Sequence, residues 1–337
     1  MKLFDLLDKK LIKNIDLGII VSVLLLFIAG VIVISSATGA AYSGSLSYIK
    51  IQIIAFILGI IGATFVLFFD YNTFGEMERI IYVINILLLI AILVFRKKIK
   101  GSKSWIIFGP LRFQPSEIVK IGFILSFAKQ LEKREGTLNT VKGVVPLLLY
   151  MAPIILLILR QPDFGTALVF IFFSFFMLYA AGISYKFIIG IGALGIISLP
   201  ILWFYYFEEY QRYRIRVFFN PEMDPLGRGY HVIQSKIAIG SGQFLGKGLF
   251  KGTQNNLGFI PERHTDFIFS VIGEEFGLIG SMIIILLFML LIMRCMYISK
   301  ISKDSYGRYI TVGVMAMFLF HILENIGMTM GIMPVTG

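Results

Sequence analysis

The chain has 337 residues, of which 57% are hydrophobic and only 15% are charged, and its formal net charge is +11. A soluble domain of this size cannot keep so apolar a composition in water, so these proportions exclude the ordinary soluble class and indicate a membrane protein. The single cysteine, Cys295, excludes an internal disulfide framework.

Apolar runs of the length of a membrane-spanning helix recur along the chain. The nine runs cover residues 17–35, 51–69, 79–95, 116–131, 143–159, 165–181, 187–207, 267–293 and 309–327. They are too long for core strands, and a backbone in lipid must satisfy its polar groups within its own segment. The predicted fold class is all-α, a polytopic transmembrane helical bundle. The third and fourth runs are short, so the count is open by one.

Basic residues precede the first run, at Lys2, Lys9, Lys10 and Lys13. They are also typical of a cleaved signal peptide, whose hydrophobic region spans about 7–15 residues. The first run here spans about 19 residues, which favours an uncleaved helix and a cytoplasmic N-terminus. With that orientation the basic linkers 129–142 and 294–308 are cytoplasmic, as the positive-inside rule expects. The connections 96–115 and 208–264 are also basic, but they lie outside. The positive-inside rule is therefore equivocal by count.

Three connections carry most of the unusual polar sequence: 96–115, 160–164 and 208–266. They follow the third, fifth and seventh helices, so two crossings separate each from the next and all three share one face. A charge excess kept on that face predicts a site for an anionic ligand near the membrane surface. A solvated basic loop is the alternative.

Two of these connections place charges beside helix ends. In FQPSEIVK (113–120), Pro115 can start the fourth helix, and Glu117 and Lys120 share one helical face. In RQPDFG (160–165), Arg160 and Asp163 flank a proline. A structural ion pair is the alternative reading for each couple. In HILEN (321–325), Glu324 and Asn325 are typical of polar packing between helices.

The long connection 208–266 predicts several local structures. Arg212, Arg214 and Arg216 alternate with bulky residues at the two-residue period of an extended segment. The stretch 231–242 predicts a short amphipathic or re-entrant helix that ends at glycines. The glycine-rich stretch 240–252 fails the phosphate-loop pattern, and instead predicts a tightly packed loop with positive φ that can still present N–H groups to an anion.

The segment PERHTDFIFSVIGEEFGLIG (261–280) opens the eighth helix. Thr265 or Asp266 can cap that helix, and a carboxylate at the membrane boundary beside a basic loop can also act as a general base. At least one of Glu274 and Glu275, two to three turns further on, is expected to pair with a cation or polar group. The GxxxG at Gly273 predicts close helix packing.

Metal and nucleophile motifs are absent from the sequence. The three histidines, His231, His264 and His321, are scattered, with no spacing typical of a metal site. The residues of a metal site, if there is one, cannot be named from the sequence.

The motifs SxxWIxFGPLRFQPSEIVK, RQPDFGTA, FNPEMDPLGRGYHVIQSKIAIGSG, GKGLFKGTQ and FIPERHTDFIFSVIGEEFGLIG resemble, in order and spacing, those of the SEDS family. The resemblance covers essentially the whole chain, and the QSKIAIGSG and GTQ forms favour its elongation branch over its division branch. It implies a peptidoglycan glycosyltransferase that polymerises lipid II into glycan strands at the outer face of the bacterial cytoplasmic membrane during cell elongation. It also implies a class B penicillin-binding protein as partner, beside lipid II, the nascent glycan strand and membrane lipids. No nucleic acid partner is expected.

The resemblance also assigns residues. The family's essential aspartate corresponds to Asp266, its loop tryptophan to Trp105, and its helix-four acid and base to Glu117 and Lys120. There are two departures: the family usually has ten helices, whereas this chain ends at MPVTG before the expected last one, and Gln243 stands where a glycine is usual. The domain prediction is a single transmembrane domain, 1–337, with the extracytoplasmic loop 208–266.

The implied reaction joins a sugar hydroxyl to an anomeric carbon that carries a lipid pyrophosphate, with inversion. We expect Asp266 to be the general base and Glu117 to position Lys120, which would stabilise the pyrophosphate together with Arg214, Arg216 or a divalent cation (Mg or Mn). Trp105 can stack on a sugar or act as an interfacial aromatic. The other predicted substrate contacts are Arg160, Asp163, Lys236 and Lys247. A lipid II flippase and a non-catalytic scaffold are the rival classes.

Overall fold

The structure, a computed structural model, describes residues 15–39, 46–94, 106–108, 111–206, 209–225 and 227–334. Its helices, in chain order, are α1 (Leu17–Ala37), α2 (Ser47–Val66), α3 (Tyr71–Glu76), α4 (Glu78–Val94), α5 (Pro115–Glu132), α6 (Val141–Leu159), α7 (Phe164–Ala180), α8 (Tyr185–Ile201), α9 (Glu209–Phe219), α10 (Arg228–Ser241), α11 (Thr253–Asn256), α12 (Ile268–Ile301) and α13 (Ser305–Thr329). A π-helical segment, Leu202–Tyr206, follows α8. Two short strands, β1 (Ile106–Phe108) and β2 (Leu111–Phe113), pair antiparallel between α4 and α5.

Each of the nine apolar runs coincides with a helix of the described chain, so the all-α prediction is confirmed. Five of these helices are long and apolar enough to cross a bilayer: α1, α2, α6, α12 and α13. Helix α7 and the first part of α8, Tyr185–Ile197, are apolar but shorter. Helix α5 departs from the pattern because its 18 residues include four charged ones, Glu117, Lys120, Lys129 and Glu132. The chain is therefore a multi-pass membrane protein.

Local sequence accounts for where several helices begin. Asp16 caps α1, because its Oδ1 accepts a hydrogen bond 3.0 Å long from the N–H of Ile19. Thr140 caps α6 in the same way. Pro115 occupies the first position of α5, where a missing N–H leaves no partner unsatisfied. These signals fix the start of α5, and with it the position of Glu117 and Lys120.

The chain forms two compact units. Unit 1 lies within Met1–Phe69, Tyr213–Arg294 and Ile322–Val335, and unit 2 within Asp70–Arg212, Cys295–His321 and Thr336–Gly337. Unit 1 contains a buried apolar cluster in which Val33 and Ala37 of α1 pack with three residues of α12, namely Phe269, Val271 and Ile272.

Unit 2 is built around aromatic residues of α5 and α7. Phe123 and Phe127 of α5, and Phe170 and Phe173 of α7, are each at most 1% exposed. The Phe123 ring lies 5.5 Å from the Phe170 ring in an edge-on contact. Helix α4 approaches α5 closely at Gly122, where a β-carbon would lie 2.5 Å from Asn85 Oδ1. This packing holds α5 firmly along its length.

Two elements differ from the sequence predictions. The stretch of alternating arginines is not extended but forms α9, with Glu209 in its first turn and Arg216 in its last, where each charge complements the helix dipole. The second difference is an interruption of α12 at Gly277, which has φ 63° and ψ −156°. The predicted helix over 231–242 is confirmed as α10, which ends at Ser241 and has Gly242 as its C-terminal cap.

Candidate active site

A lysine near the start of α5 is a buried charge of unit 2 with two side-chain partners. Lys120 is 2% exposed, and its Nζ lies 2.9 Å from Glu117 Oε2 and 2.8 Å from His321 Nε2. The Glu117 side chain is 56% exposed, so the pair has one charge within the protein and one facing outward. Since an isolated buried ammonium costs several kcal/mol, these two partners are what keep the positive charge there. The predicted common face of Glu117 and Lys120 is confirmed.

His321 is a functional candidate that sequence reasoning missed. A lysine ammonium has donors only, so Nζ donates and His321 Nε2 accepts, which leaves the ring neutral with its proton on Nδ1. The histidine therefore orients Lys120 without adding a second positive charge. The two residues are 201 positions apart, so no spacing rule joins them. The only sequence signal is a polar residue one turn before Asn325 on an apolar helix.

The connection between α6 and α7 is tied to the start of α5. Asp163 Oδ1 accepts from the N–H of Thr166 at 3.1 Å and so caps α7, while its Oδ2 accepts from Gln114 Nε2 at 3.1 Å. Gln114 immediately precedes α5. Asp163 is thus hydrogen-bonded to a side-chain amide and to a backbone N–H. Arg160 is exposed, and among the described residues it does not form the ion pair with Asp163 that the sequence left open.

Asp266 lies in unit 1, in the turn 261–267 that leads into α12. Its backbone carbonyl accepts a hydrogen bond of 3.2 Å from Asn325 Nδ2 on α13. The next residue, Phe267, is 2% exposed and anchors the turn in a buried cluster with Ala238 and Ile260. The backbone of Asp266 is therefore held from two sides, and its side chain is neither fully buried nor fully exposed.

The two arginines predicted to contact the pyrophosphate both lie on α9. Arg216 is exposed and Arg214 is half-buried. Residues two apart on a helix are rotated by about 200°, so they point to opposite sides. The extended segment predicted from the sequence would have put both arginines on one side of the chain. That prediction is wrong, because the segment is helical and the two arginines face different sides.

The two lysines predicted to bind substrate have different surroundings in unit 1. Lys247 Nζ lies 2.8 Å from Glu274 Oε1 and 2.7 Å from Thr253 Oγ1, so its charge is paired with a carboxylate that is fully buried. The expectation that Glu274 or Glu275 pairs with a cation is thereby confirmed. Lys236 on α10 is exposed, and its side chain lies against Gly331.

Two predictions cannot be placed in this geometry. Trp105 falls outside the described residues. In the part of the chain that the structure describes, no group of three or more His, Cys, Asp or Glu side chains is arranged to hold a metal ion. The predicted Mg or Mn stays a prediction.

Residues 16–337 match the family of cell cycle proteins that contains FtsW, RodA and SpoVE. The chain belongs to this family. It is the SEDS family, so the resemblance read from the motifs is confirmed, with matched residues running nearly the full length of the chain.

Relatives of established name agree with this assignment. The peptidoglycan glycosyltransferase MrdB of Escherichia coli (strain K12) is 43% identical over 261 residues, which are 76% of this chain and 69% of MrdB. The peptidoglycan glycosyltransferase RodA of Treponema pallidum (strain Nichols) is 32% identical over 97% of this chain and 92% of RodA. Both relatives are named peptidoglycan glycosyltransferases.

The fold agrees as well. A solved chain from work on the coordination of polymerization and crosslinking by a peptidoglycan synthase complex matches with a TM-score of 0.81 and 30% identity. The match covers 96% of this chain and 90% of that one. This chain is accordingly a peptidoglycan glycosyltransferase with a transmembrane helical bundle.

Proposed function

We propose that the chain polymerises lipid II into glycan strands at the outer face of the bacterial cytoplasmic membrane during cell elongation, with Asp266 as general base. The observation that carries the proposal is the buried ammonium of Lys120, held between Glu117 and His321. A fixed positive charge in a site of low dielectric is suited to a departing pyrophosphate, because it stabilises negative charge without reorganising.

The reaction is a single displacement. The Asp266 carboxylate takes the proton from the acceptor sugar hydroxyl, whose oxygen attacks the anomeric carbon of the donor. A new glycosidic C–O bond forms as the C–O bond to the lipid pyrophosphate breaks, with inversion at carbon. The leaving pyrophosphate then carries the developing charge, which Lys120 stabilises. This division of labour needs no covalent sugar–enzyme intermediate.

Other residues position these two groups. Glu117 and His321 orient the Lys120 ammonium, and Asn325 holds the backbone at Asp266. Asp163, through Gln114, fixes the approach to α5.

Further residues are proposed to contact or attract the substrate. Exposed cations attract the anionic substrate to the surface, together with half-buried Arg214. These cations include Arg216, Arg160 and Lys236. Trp105 contacts sugar. Lys247 contributes through Glu274 rather than by direct contact.

We further propose a class B penicillin-binding protein as partner, and an N-terminus on the cytoplasmic side. The structural relative from a complex that joins polymerization to crosslinking supports the partner, since cross-linking requires a second active site beside the growing strand. The basic linkers 129–142 and 294–308 support the orientation.

The test is polymerisation of labelled lipid II by the purified chain together with its partner, with glycan length read on a gel. We expect strands many disaccharides long. The same protein in vesicles is assayed for movement of lipid II between leaflets. Transport without any sugar joining would establish the flippase reading instead, and would contradict the proposal.

A further inference from the structure

Two side-chain contacts join α1 to α12 at opposite ends of α1. At the start of α1, Arg294 Nη2 lies 2.7 Å from Asp16 Oδ2. At its end, Ser36 Oγ donates a hydrogen bond of 2.6 Å to Glu275 Oε1. All of these residues belong to unit 1. The two helices therefore run side by side between these contacts.

The stretch between the two contacts has the length and the composition of a membrane span. Asp16 and Ser36 lie about 30 Å apart along the helix, which equals the thickness of the hydrocarbon core of a bilayer. Neither residues 17–35 of α1 nor residues 278–293 of α12 include a charged side chain. The contact at Asp16 therefore lies at one boundary of the hydrocarbon core, and the contact at Ser36 lies at the other.

The segment that follows α10 reaches α12 between these two boundaries. The N–H of Leu278 donates to the Gln243 carbonyl at 2.8 Å. The N–H of Ile279 donates to the Phe244 carbonyl at 3.2 Å. These N–H groups lie about 22–24 Å from Arg294 along the helix, so they are about 6–8 Å inside the second boundary. A helix tilt of about 20–40° shortens the first distance and leaves both contacts inside the core.

The tip of this segment carries two large apolar side chains that little of the protein covers. Phe244 is 71% exposed and Leu245 is 79% exposed. The neighbouring residues of α12, Leu278 and Ile279, are each 50% exposed. In water such a surface would be unfavourable, because apolar side chains gain free energy when they leave water. At the depth of the contacts with α12, the surrounding medium is lipid hydrocarbon.

We propose that residues 243–247 form a re-entrant segment, and that Phe244 and Leu245 insert among phospholipid acyl chains in the leaflet beside the loop 208–266. Insertion of aromatic and leucine side chains about 5–10 Å into the boundary between headgroups and acyl chains is typical of segments held at a membrane surface. The sequence predicts an extracytoplasmic connection here, which gives these side chains no apolar partner, whereas lipid supplies one.

Lys247 ends the inserted stretch. Its Nζ lies 2.8 Å from Glu274 Oε1, one residue before Glu275 at the boundary. A long lysine side chain carries its charge to the headgroup region, so the chain leaves the hydrocarbon here. The insertion thus anchors the interrupted start of α12, and with it the turn that carries Asp266, at the level of the headgroups.

The test is fluorescence quenching of the purified full chain in phosphatidylcholine vesicles. Trp105 and Trp203 are replaced by phenylalanine, and a single tryptophan is introduced as Phe244→Trp or as Leu245→Trp. The acyl chains carry bromine, a quencher at short range, either close to the headgroup or near the chain end. Vesicles without bromine give the reference intensity.

Both variants should lose fluorescence in brominated vesicles, and they should lose more when the bromine is close to the headgroup. Two further variants are matched controls. Leu58→Trp, an exposed residue near the middle of α2, should lose more when the bromine is near the chain end. Lys251→Trp, an exposed residue of the same connection, should lose the least of the four variants in either lipid.

Two outcomes overturn the proposal. The first is equal fluorescence of Phe244→Trp and Leu245→Trp in brominated and plain vesicles, which would place the segment in water or against protein. The second is quenching of Lys251→Trp as strong as theirs, which would remove the difference in depth along the connection. Either tryptophan variant decides should the other not fold. No sugar transfer enters the measurement, so its outcome is separate from that of the proposed reaction.

Discussion

Lys120 owes its position to two residues of its own helix and one of α13. Pro115 sets the first turn of α5, Glu117 supplies the compensating charge one turn before the lysine, and His321 accepts a hydrogen bond from the ammonium. A charged side chain that is only 2% exposed destabilises a membrane protein, and such charges are typically retained for function. Its role as the stabiliser of the leaving group is open to direct tests at single residues.

Removing the ammonium is the first test. Lys120→Met keeps the length of the side chain and loses its charge, so glycan synthesis should fall by about 100- to 1000-fold, as for loss of a fixed donor to a developing anion. The measurement is the initial rate of lipid II polymerisation. Lys142→Met, an exposed lysine at the start of α6, should keep the wild-type rate. Equal rates for the two variants would contradict the role of Lys120.

His321 should behave as a positioning residue. Loss of a hydrogen bond to a charged group costs about 1.5–3 kcal/mol, so His321→Leu should lower kcat by about ten- to a hundredfold, with a small change in KM. His321→Gln, which can still accept from Lys120, should recover most of the rate. If His321→Gln and His321→Leu give the same kcat, the histidine contributes packing and does not orient the Lys120 ammonium.

Sequence reasoning found the residues whose partners are near in the chain. Glu117 and Lys120 are three apart, so helical periodicity alone predicts their contact. It missed His321 because that partner comes 201 positions later, and Gln114 because its contact with Asp163 crosses 49 positions. Contacts between separate helices depend on packing, which spacing does not encode.

At the level of elements, the apolar runs predicted the positions of the helices well. The pattern of polar residues was less reliable, because it predicted an extended segment where α9 is helical. A run of about 19 apolar residues has few alternatives in a membrane, whereas the alternation of three arginines spans only five residues and fits either a strand or a helix. The capping charges Glu209 and Arg216 decide for the helix. The break in α12 was not predicted, because a glycine in an apolar run is equally typical of helix packing.

Gly277 should be intolerant of any side chain. A β-carbon there would lie 2.4 Å from the backbone nitrogen of Gly246, at a φ of 63° that disfavours other residues. We expect Gly277→Ala to lower the free energy of unfolding by about 2–4 kcal/mol, measured as thermal unfolding in detergent.

The matched control for this change is Gly62→Ala in α2, where a β-carbon meets nothing within 4 Å. That variant should differ from wild type by no more than about 1 kcal/mol in either direction. A Gly277→Ala protein as stable as Gly62→Ala would show that the close contact of α12 with Phe244 and Gly246 contributes nothing to stability.

For the whole molecule, charge alone leaves the orientation open, since basic residues occur in connections on both faces. The proposed catalytic loop must nevertheless be outside, where the glycan strand is built. Single cysteines introduced at the exposed positions Glu135 and Asn256, in a Cys295→Ser background, report the two faces.

A membrane-impermeant maleimide added to intact cells should label Asn256→Cys and leave Glu135→Cys unlabelled until the cells are opened. This result follows from a cytoplasmic N-terminus and alternating crossings. The reverse labelling pattern would place the loop 208–266 inside and would exclude synthesis at the outer face.

Asp266 is the residue proposed to remove the proton from the acceptor hydroxyl. Its most direct test is the rate of lipid II polymerisation by purified Asp266→Asn protein with its partner, beside Glu262→Gln, an exposed carboxylate of the same turn. A positioned general base contributes about 100- to 10,000-fold, so we expect Asp266→Asn to lose at least a hundredfold in rate and Glu262→Gln to retain wild-type synthesis. Polymerisation by Asp266→Asn at a near wild-type rate would exclude Asp266 as the general base.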